Sequence, residues 1–199
     1  IELFSGGGPV NFETDWFTLK NARLMLSPYS DPHLEMAVAH IASPAGPSSS
    51  GKHGIGMISI AASAGGVSTA MGVDSLAQAW AWAEEAAADA GKPTPDRLGW
   101  RVVVPFHLAH SRDEAFEQIH EGARAYNVDY FQKVLGRVSD TDEDIREVAA
   151  RGGAIIGTPD DAIKAINELL DRTGGFGAFL GLAHEWASSD HTKQSYELW

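Results

Sequence analysis

The chain has no cysteine among its 199 residues. That excludes disulfides, thiolate zinc sites and a cysteine nucleophile, and it is compatible with a cytoplasmic, reducing location. Positive charge is scarce: 15 Lys and Arg face 27 Asp and Glu, a formal net charge of −12. No basic cluster interrupts this acidic background, which argues against nucleic acid as a partner. No apolar run is long enough to cross a bilayer, and no signal-peptide pattern appears, so no membrane partner is expected. The 8 histidines share no spacing, so no metal site is expected. The chain also lacks an initiating Met. It opens Ile1-Glu-Leu-Phe-Ser and closes Ser195-Tyr-Glu-Leu-Trp199 inside a predicted helix, so both ends read as cut.

What is present is an ordinary globular composition, 44% hydrophobic and 21% charged, enough for a single domain over 1–199 with a sizeable core. Residues 1–31 read as a flap and connector: a two-stranded antiparallel flap over 12–26 with its turn at Lys20-Asn21, then the turn-rich Ser27-Pro-Tyr-Ser-Asp-Pro32. Residues 32–199 read as βα units. Strands are predicted over 36–42, 56–61, 100–109 and 176–183, the last buried, with a short apolar run at Ala154-Ile-Ile156. Residues 62–73 are small and Gly-rich and read as a surface loop, and 138–148 as an acidic loop-to-helix connection. Helices are predicted after Asp74 as a cap and after the capping box Ser111-x-x-Glu114. Another follows Thr158-Pro-Asp-Asp161, with Ile163, Ile166, Leu169 and Leu170 as its buried stripe, and a last one starts near Ser188 or Ser189. Apolar strands alternating with amphipathic helices give an α/β fold with a parallel sheet: half of a (β/α)8 barrel or a small doubly wound sheet.

The stretch from Met36 to Ile60 is the most informative. Gly46, Gly51 and Lys52 have P-loop spacing, but His53 stands where a Ser or Thr would hold Mg²⁺. A strand follows Lys52 almost at once, which leaves no room for the P-loop helix, and Pro44 and Pro47 lack N–H donors. The better reading is a short helix over Ser48–His53, with Pro47 at its first position, ended by Gly54 and capped there by His53. Its N-terminus then lies at Ser43–Gly46, at the C-terminal end of a strand. That is either an anion site or a tight connection that binds nothing.

Ala39-His-Ile-Ala-Ser-Pro-Ala-Gly46 followed by Gly51-Lys-His-Gly-Ile-Gly-Met-Ile-Ser-Ile60 resembles the bacterial luciferase-like flavin-dependent monooxygenases, most closely their limonene monooxygenase-like branch. Asp15-Trp-Phe-Thr-Leu19, Ala22-Arg-Leu-Met-Leu-Ser-Pro-Tyr29, Ile156-Gly-Thr-Pro-Asp-Asp-Ala162 and Gly174-Gly-Phe-Gly-Ala-Phe-Leu-Gly-Leu-Ala-His-Glu-Trp-Ala187 agree in the family's order. The resemblance implies a (β/α)8 TIM barrel of luciferase-like type, with this chain supplying about strands five to eight, its C-terminal half. It implies reduced FMN as cofactor, with coenzyme F420 as the lesser option. The flavin phosphate falls on Ala42, Ser43 and Gly46, and the ring passes Ser59, Ile60 and Ala61. Gly46 departs from members with a hydroxyl residue there, so only its backbone serves. Implied partners are a flavin reductase, the N-terminal half of the barrel and further copies of the chain as a homo-oligomer.

His107 and His184, near the ends of their strands, are the catalytic candidates, as donors to the flavin or as general bases; the alternative is a buried, hydrogen-bonded histidine. His40 and Trp186 are placed in the substrate pocket, His40 because it alternates with Val38 and Ala42. Trp80, Trp82 and Trp100 read as core or interface residues. The expected function is an FMN-dependent monooxygenase of a small apolar organic molecule, with O₂ as co-substrate. A non-catalytic flavin-binding half barrel and an F420-dependent oxidoreductase are the alternatives. A metal-dependent hydrolase is disfavoured by the missing ligand spacing.

Overall fold

The computed structural model describes residues 1–5, 8–31, 34–60, 73–134, 136 and 144–199. They form two compact units, Ile1–Met36 and Ala37–Trp199.

The first unit holds β1 (Val10–Glu13) and β2 (Thr18–Ala22), paired antiparallel with Phe12 opposite Leu19. The flap is therefore present, but its turn lies at Thr14–Phe17 and not at Lys20-Asn21. Thr14 is the reason: its Oγ1 accepts from Phe17 N at 3.0 Å and donates to the Phe17 carbonyl at 2.9 Å. Asn21 instead sits inside β2 with φ 53°, its N–H donating to Asn11 Oδ1 at 2.8 Å beside a register shift.

The second unit runs β3 (Ala37–His40), α1 (Ala45–His53), β4 (Gly56–Ile60), α2 (Val73–Asp89), β5 (Trp100–Leu108) and α3 (Arg112–Ala125), then α4 (Ile145–Ala150), β6 (Ile155–Gly157), α5 (Pro159–Thr173), β7 (Ala178–Leu182) and α6 (Ser189–Leu198). β3, β4, β5 and β7 pair in parallel in chain order, and β6 joins β5 at its C-terminal end, through Phe106 opposite Ile155 and Leu108 opposite Gly157. The short apolar run at Ala154 is thus a fifth parallel strand. Strand order never reverses, as a doubly wound sheet would require. The succession is that of a half barrel.

The two faces of this sheet differ. Cross-strand neighbours in a parallel ladder share a face. Met57, Trp100, Val102, Val104 and Phe106 turn to one side and pack with Leu76, Ala79 and Trp80 of α2 and Ala162 and Leu169 of α5. The other face carries Ile58, Ile60, Val103, Leu180 and Leu182, by register. These are half-buried or exposed, with Leu180 at 39% and Leu182 at 36% exposure. β7 is therefore not the buried strand expected: among the described residues it pairs only with β5, and its open-face leucines stay exposed.

Local chemistry sets the helix ends. Thr158 caps α5, accepting from Asp161 N while Asp161 Oδ2 accepts from Thr158 N at 3.0 Å, with Pro159 in the first position. Ser111 caps α3, accepting from Glu114 N at 3.2 Å, and Ser188 caps α6. Beyond α3 the chain continues as a π-helix over Tyr126–Val134, which periodicity did not reveal. Three expectations shift. α2 starts at Val73, one residue before the expected cap Asp74. Ile163 is 60% exposed, because the buried stripe of α5 runs through Ala162, Ile166 and Leu169 instead. The acidic connection resolves, among its described residues, into Asp144 capping α4. Of the loop expected over 62–73, residues 62–72 lie outside the described residues and Val73 opens α2. The tryptophans behave as core: Trp80 and Trp100 are buried and stacked at 5.0 Å, and half-buried Trp82 packs against the same core.

Candidate functional site

Parallel strands put the C-terminal ends of β3, β4, β5 and β7 on one edge of the sheet, the edge where such folds carry chemistry. At the β3 end, Ile41–Ala45 is exposed and leads straight into α1. The helix starts two residues earlier than expected, with Pro44 as the cap residue and Pro47 in its third position instead of its first. Ser48 N donates to the Pro44 carbonyl at 2.8 Å, and Pro47 has no N–H. The first-turn donors without an intrahelical acceptor are therefore Ala45 and Gly46, beside the Ser43 hydroxyl. Gly46 has a steric reason to be glycine: a Cβ there would lie 2.8 Å from the Ala39 carbonyl oxygen and 3.3 Å from His40 Cβ. α1 is pressed onto the backbone of β3, and the Gly46 N–H is held at the strand end. Lys52 is exposed at the far end of α1, before the left-handed Gly54 (φ 65°). The P-loop spacing is thus the C-terminus of a helix.

The side chains of His40 and Ser59 face the other way from the expected pocket. His40 lies opposite Ser59, and Ser59 opposite Val102, which is on the helix-covered face. Ser59 Oγ accepts from Trp100 Nε1 at 3.0 Å in the core. His40 is 3% exposed, its ring 6.4 Å from that of Trp82 on α2, and among the described residues neither ring nitrogen has a hydrogen bond. The pocket placement of His40 is therefore corrected. Alternation identified a face, but in a strand apolar on both sides it did not identify which face the helices cover. The Ser59 hydroxyl is accordingly engaged in the core. Ile60, opposite Val103, is on the open face. Ala61 lies outside the described residues.

At the β7 end the structure gathers an aromatic group. His184 stacks on Trp186, with centroids 4.6 Å apart and planes at 23°, and Tyr126 lies 4.6 Å from His184 and 5.8 Å from Tyr130. Trp186 is 8% exposed, packed with α3 residues Phe116, Ile119 and Ala123, and among the described residues its buried Nε1 has no partner. Its backbone lies so close to Gly122 that no Cβ fits there. Burial lowers the pKa of His184, as it does that of His40. His107, near the end of β5, is 4% exposed and pairs through Nε2 with Gln118 of α3 at 2.8 Å. Its pKa is lowered, mainly by burial and also by the charge of His191, against the Gln118 bond and Glu114. The sequence signal for Gln118 and Glu114 is their spacing: four residues apart, they share one face of the helix opened by Ser111.

A cavity of about 340 Å³ opens elsewhere, between α3, α4 and α5, lined among others by Arg112, Phe116, Arg146, Ile156, Asp161 and Lys164. It includes none of the candidate residues. No group of three or more His, Asp or Glu able to hold a metal occurs among the described residues, and no helix among them is long and apolar enough to cross a membrane.

The donor set at the β3 end, a hydroxyl and two free N–H groups at a positive helix end, fits a phosphate. Limonene 1,2-monooxygenase of Rhodococcus erythropolis is 37% identical over 201 residues, covering 100% of this chain and 50% of that protein. The 4-hydroxyprotoasukamycin monooxygenase of Streptomyces nodosus subsp. asukaensis is 34% identical over 203 residues, covering 98% and 53%. The chain spans about half the length of the curated relatives it matches. The oxygenating constituent of 3,6-diketocamphane monooxygenase from Pseudomonas putida, solved with FMN, superposes with TM-score 0.66 at 22% identity, over 97% of this chain and 57% of that one. An F420-dependent secondary alcohol dehydrogenase superposes with TM-score 0.66 at 19% identity, over 100% and 57%. No protein-family model matches the sequence. On the strength of the two relatives and the half-barrel topology, the chain resembles the C-terminal half of the luciferase-like monooxygenases, in particular their limonene monooxygenase-like branch.

Proposed function

We propose that this chain is the flavin-holding half of an FMN-dependent monooxygenase acting on a small apolar organic molecule. The observation that carries the reading is the exposed Ser43 beside the free N–H groups of Ala45 and Gly46, at the C-terminal end of β3. Both named relatives are monooxygenases. Ser43 donates its hydroxyl to the flavin phosphate, and the helix end supplies two further donors. Ile60, on the open face, gives the ring an apolar neighbour. His184, kept neutral by burial, stays available as a donor or acceptor without placing a charge in the site. Reduced FMN, when bound, supplies the electrons that activate O₂. A flavin reductase delivers it, and a second half barrel, pairing with β3 and β7, covers the open apolar face and completes the pocket; the assembled protein is a homo-oligomer in the cytoplasm.

The open face, with Leu180 and Leu182 uncovered, favours one second reading: alone, this half holds flavin and turns nothing over. Titration with FMN and riboflavin tests the site. Ser43→Ala should weaken FMN by about tenfold, the value of a hydrogen bond to a charged group, and leave riboflavin unchanged. Equal loss for both flavins would remove the phosphate from this position. NADH-driven O₂ uptake with an added flavin reductase separates the two readings.

A further inference from the structure

His107 has one ring hydrogen bond among the described residues, from Nε2 to Gln118 Oε1. Which partner donates is settled one link further along. Gln118 Nε2 donates to Glu114 Oε1 at 2.8 Å. A carboxylate accepts and does not donate, so the amide turns its NH₂ group to Glu114 and its oxygen to His107. Gln194 Oε1, 3.5 Å from the same Gln118 Nε2, adds a second acceptor on the NH₂ side. An amide oxygen also only accepts, so His107 Nε2 carries the proton. In a neutral imidazole the lone pair then lies on Nδ1.

The lock has rigid anchors at each end. Glu114 is fixed in the first turn of α3 by the Ser111 cap. His107 is held in β5, its strand neighbour being Ile156 of β6, while the next residue, Leu108, donates its N–H to Ser195 Oγ of α6 at 2.9 Å. The ring faces two other titratable groups, Glu114 from α3 and His191 from α6, whose influences oppose each other, and burial keeps it neutral.

We propose that Glu114 and Gln118 are positioning residues that hold His107 as the Nε2-protonated tautomer. Nδ1 is then fixed as the ring's acceptor, and a ligand reaching the C-terminal end of β5 would meet a lone pair there and not a proton. The ligand rests on the flavin reading; the tautomer does not.

Long-range ¹H–¹⁵N correlation spectra of the uniformly labelled chain read the ring directly. His107 should show a pyrrole-type Nε2 and a pyridine-type Nδ1. Gln118→Leu should cut the tautomer ratio by about fivefold or more, the worth of one hydrogen bond. Glu114→Gln should lower the ratio by less, without touching the ring, because the Gln118 amide then faces a group that can donate as well as accept, while Gln194 still favours the original orientation. Gln118→Glu, whose carboxylate only accepts, should restore the Nε2–H form and raise the ring's pKa. A protonated Nδ1 in the unsubstituted chain, or a ratio indifferent to Glu114→Gln, would overturn the proposal. None of these spectra needs flavin, so a failure to bind FMN would sink the flavin reading and leave this one to be judged separately.

Discussion

Trp100 donates its indole N–H to Ser59 Oγ at 3.0 Å, with both residues wholly buried on the helix-covered side of the sheet. Ser59 thus serves the core. Ser59→Ala would strand the Trp100 donor, a desolvation loss of about 1–3 kcal/mol. The expected outcome is a lower Tm with FMN affinity unchanged once the protein is folded. A selective loss of flavin with unchanged Tm would return the Ser59 hydroxyl to the site.

Gly51 of α1 meets α2 backbone to backbone: a Cβ there would collide with the Ala83 carbonyl oxygen. Lys52, the next residue, is exposed. The two halves of the P-loop signature therefore have opposite sensitivities. Gly51→Ala should destabilise by at least the 1–3 kcal/mol typical of overpacking, seen as a fall in the urea midpoint. Lys52→Ala should stay within about 0.5 kcal/mol and leave FMN binding intact. A large loss of FMN affinity in Lys52→Ala would restore the lysine as a phosphate ligand.

Much of this arrangement was readable because local chemistry and global fold agree. The Thr158–Asp161 box, the Ser111 cap and the left-handed Gly54 each mark an end that the structure keeps. The flap turn was misplaced because Lys20-Asn21 looks like a turn pair, while the decisive group was the Thr14 hydroxyl. The start of α1 was placed late because proline in a first turn is compatible with more than one position there. The orientations of His40 and Ser59 were unreadable for a deeper reason. In a strand apolar on both sides, alternation carries no label for inside and outside. The label comes from which face receives α2.

Two buried histidines and a half-buried one make acid stability a specific expectation. His40, His107 and His184 all titrate below the ordinary value of 6.5 when folded, in each case chiefly through burial. Between the folded and unfolded values, the unfolded chain binds more protons, so stability rises with pH there. Stability should be level above about pH 7.5 and fall as pH drops through about 6.5, continuing toward the lowered folded values. Asp161 does not contribute in this window. Its pKa is held below 3.8, first by the Arg112 hydrogen bond, so its stabilisation persists until far more acid conditions. Thermal melts from about pH 8 to 5 should show the fall, and His40→Gln should flatten it. A Tm that holds constant or climbs toward pH 5 would contradict neutral, buried rings.

The open face of the sheet gives the last expectation. Leu180 and Leu182 stand on it at 39% and 36% exposure, beside Val103 and opposite in direction to Phe179, which packs into the core. Because they are uncovered in this chain, Leu180→Lys with Leu182→Lys should change its own stability by only about 0.5 kcal/mol per site. Removing two exposed leucines should also reduce self-association, read by light scattering. In a closed barrel the same positions point inward, where an unpaired ammonium is strongly disfavoured. The doubly substituted chain should therefore fail to combine with a polypeptide supplying the remaining half of the limonene monooxygenase-like length, while the unsubstituted chain combines with it. Equal recovery of a combined species from both chains would mean that this face is not the interior of a barrel.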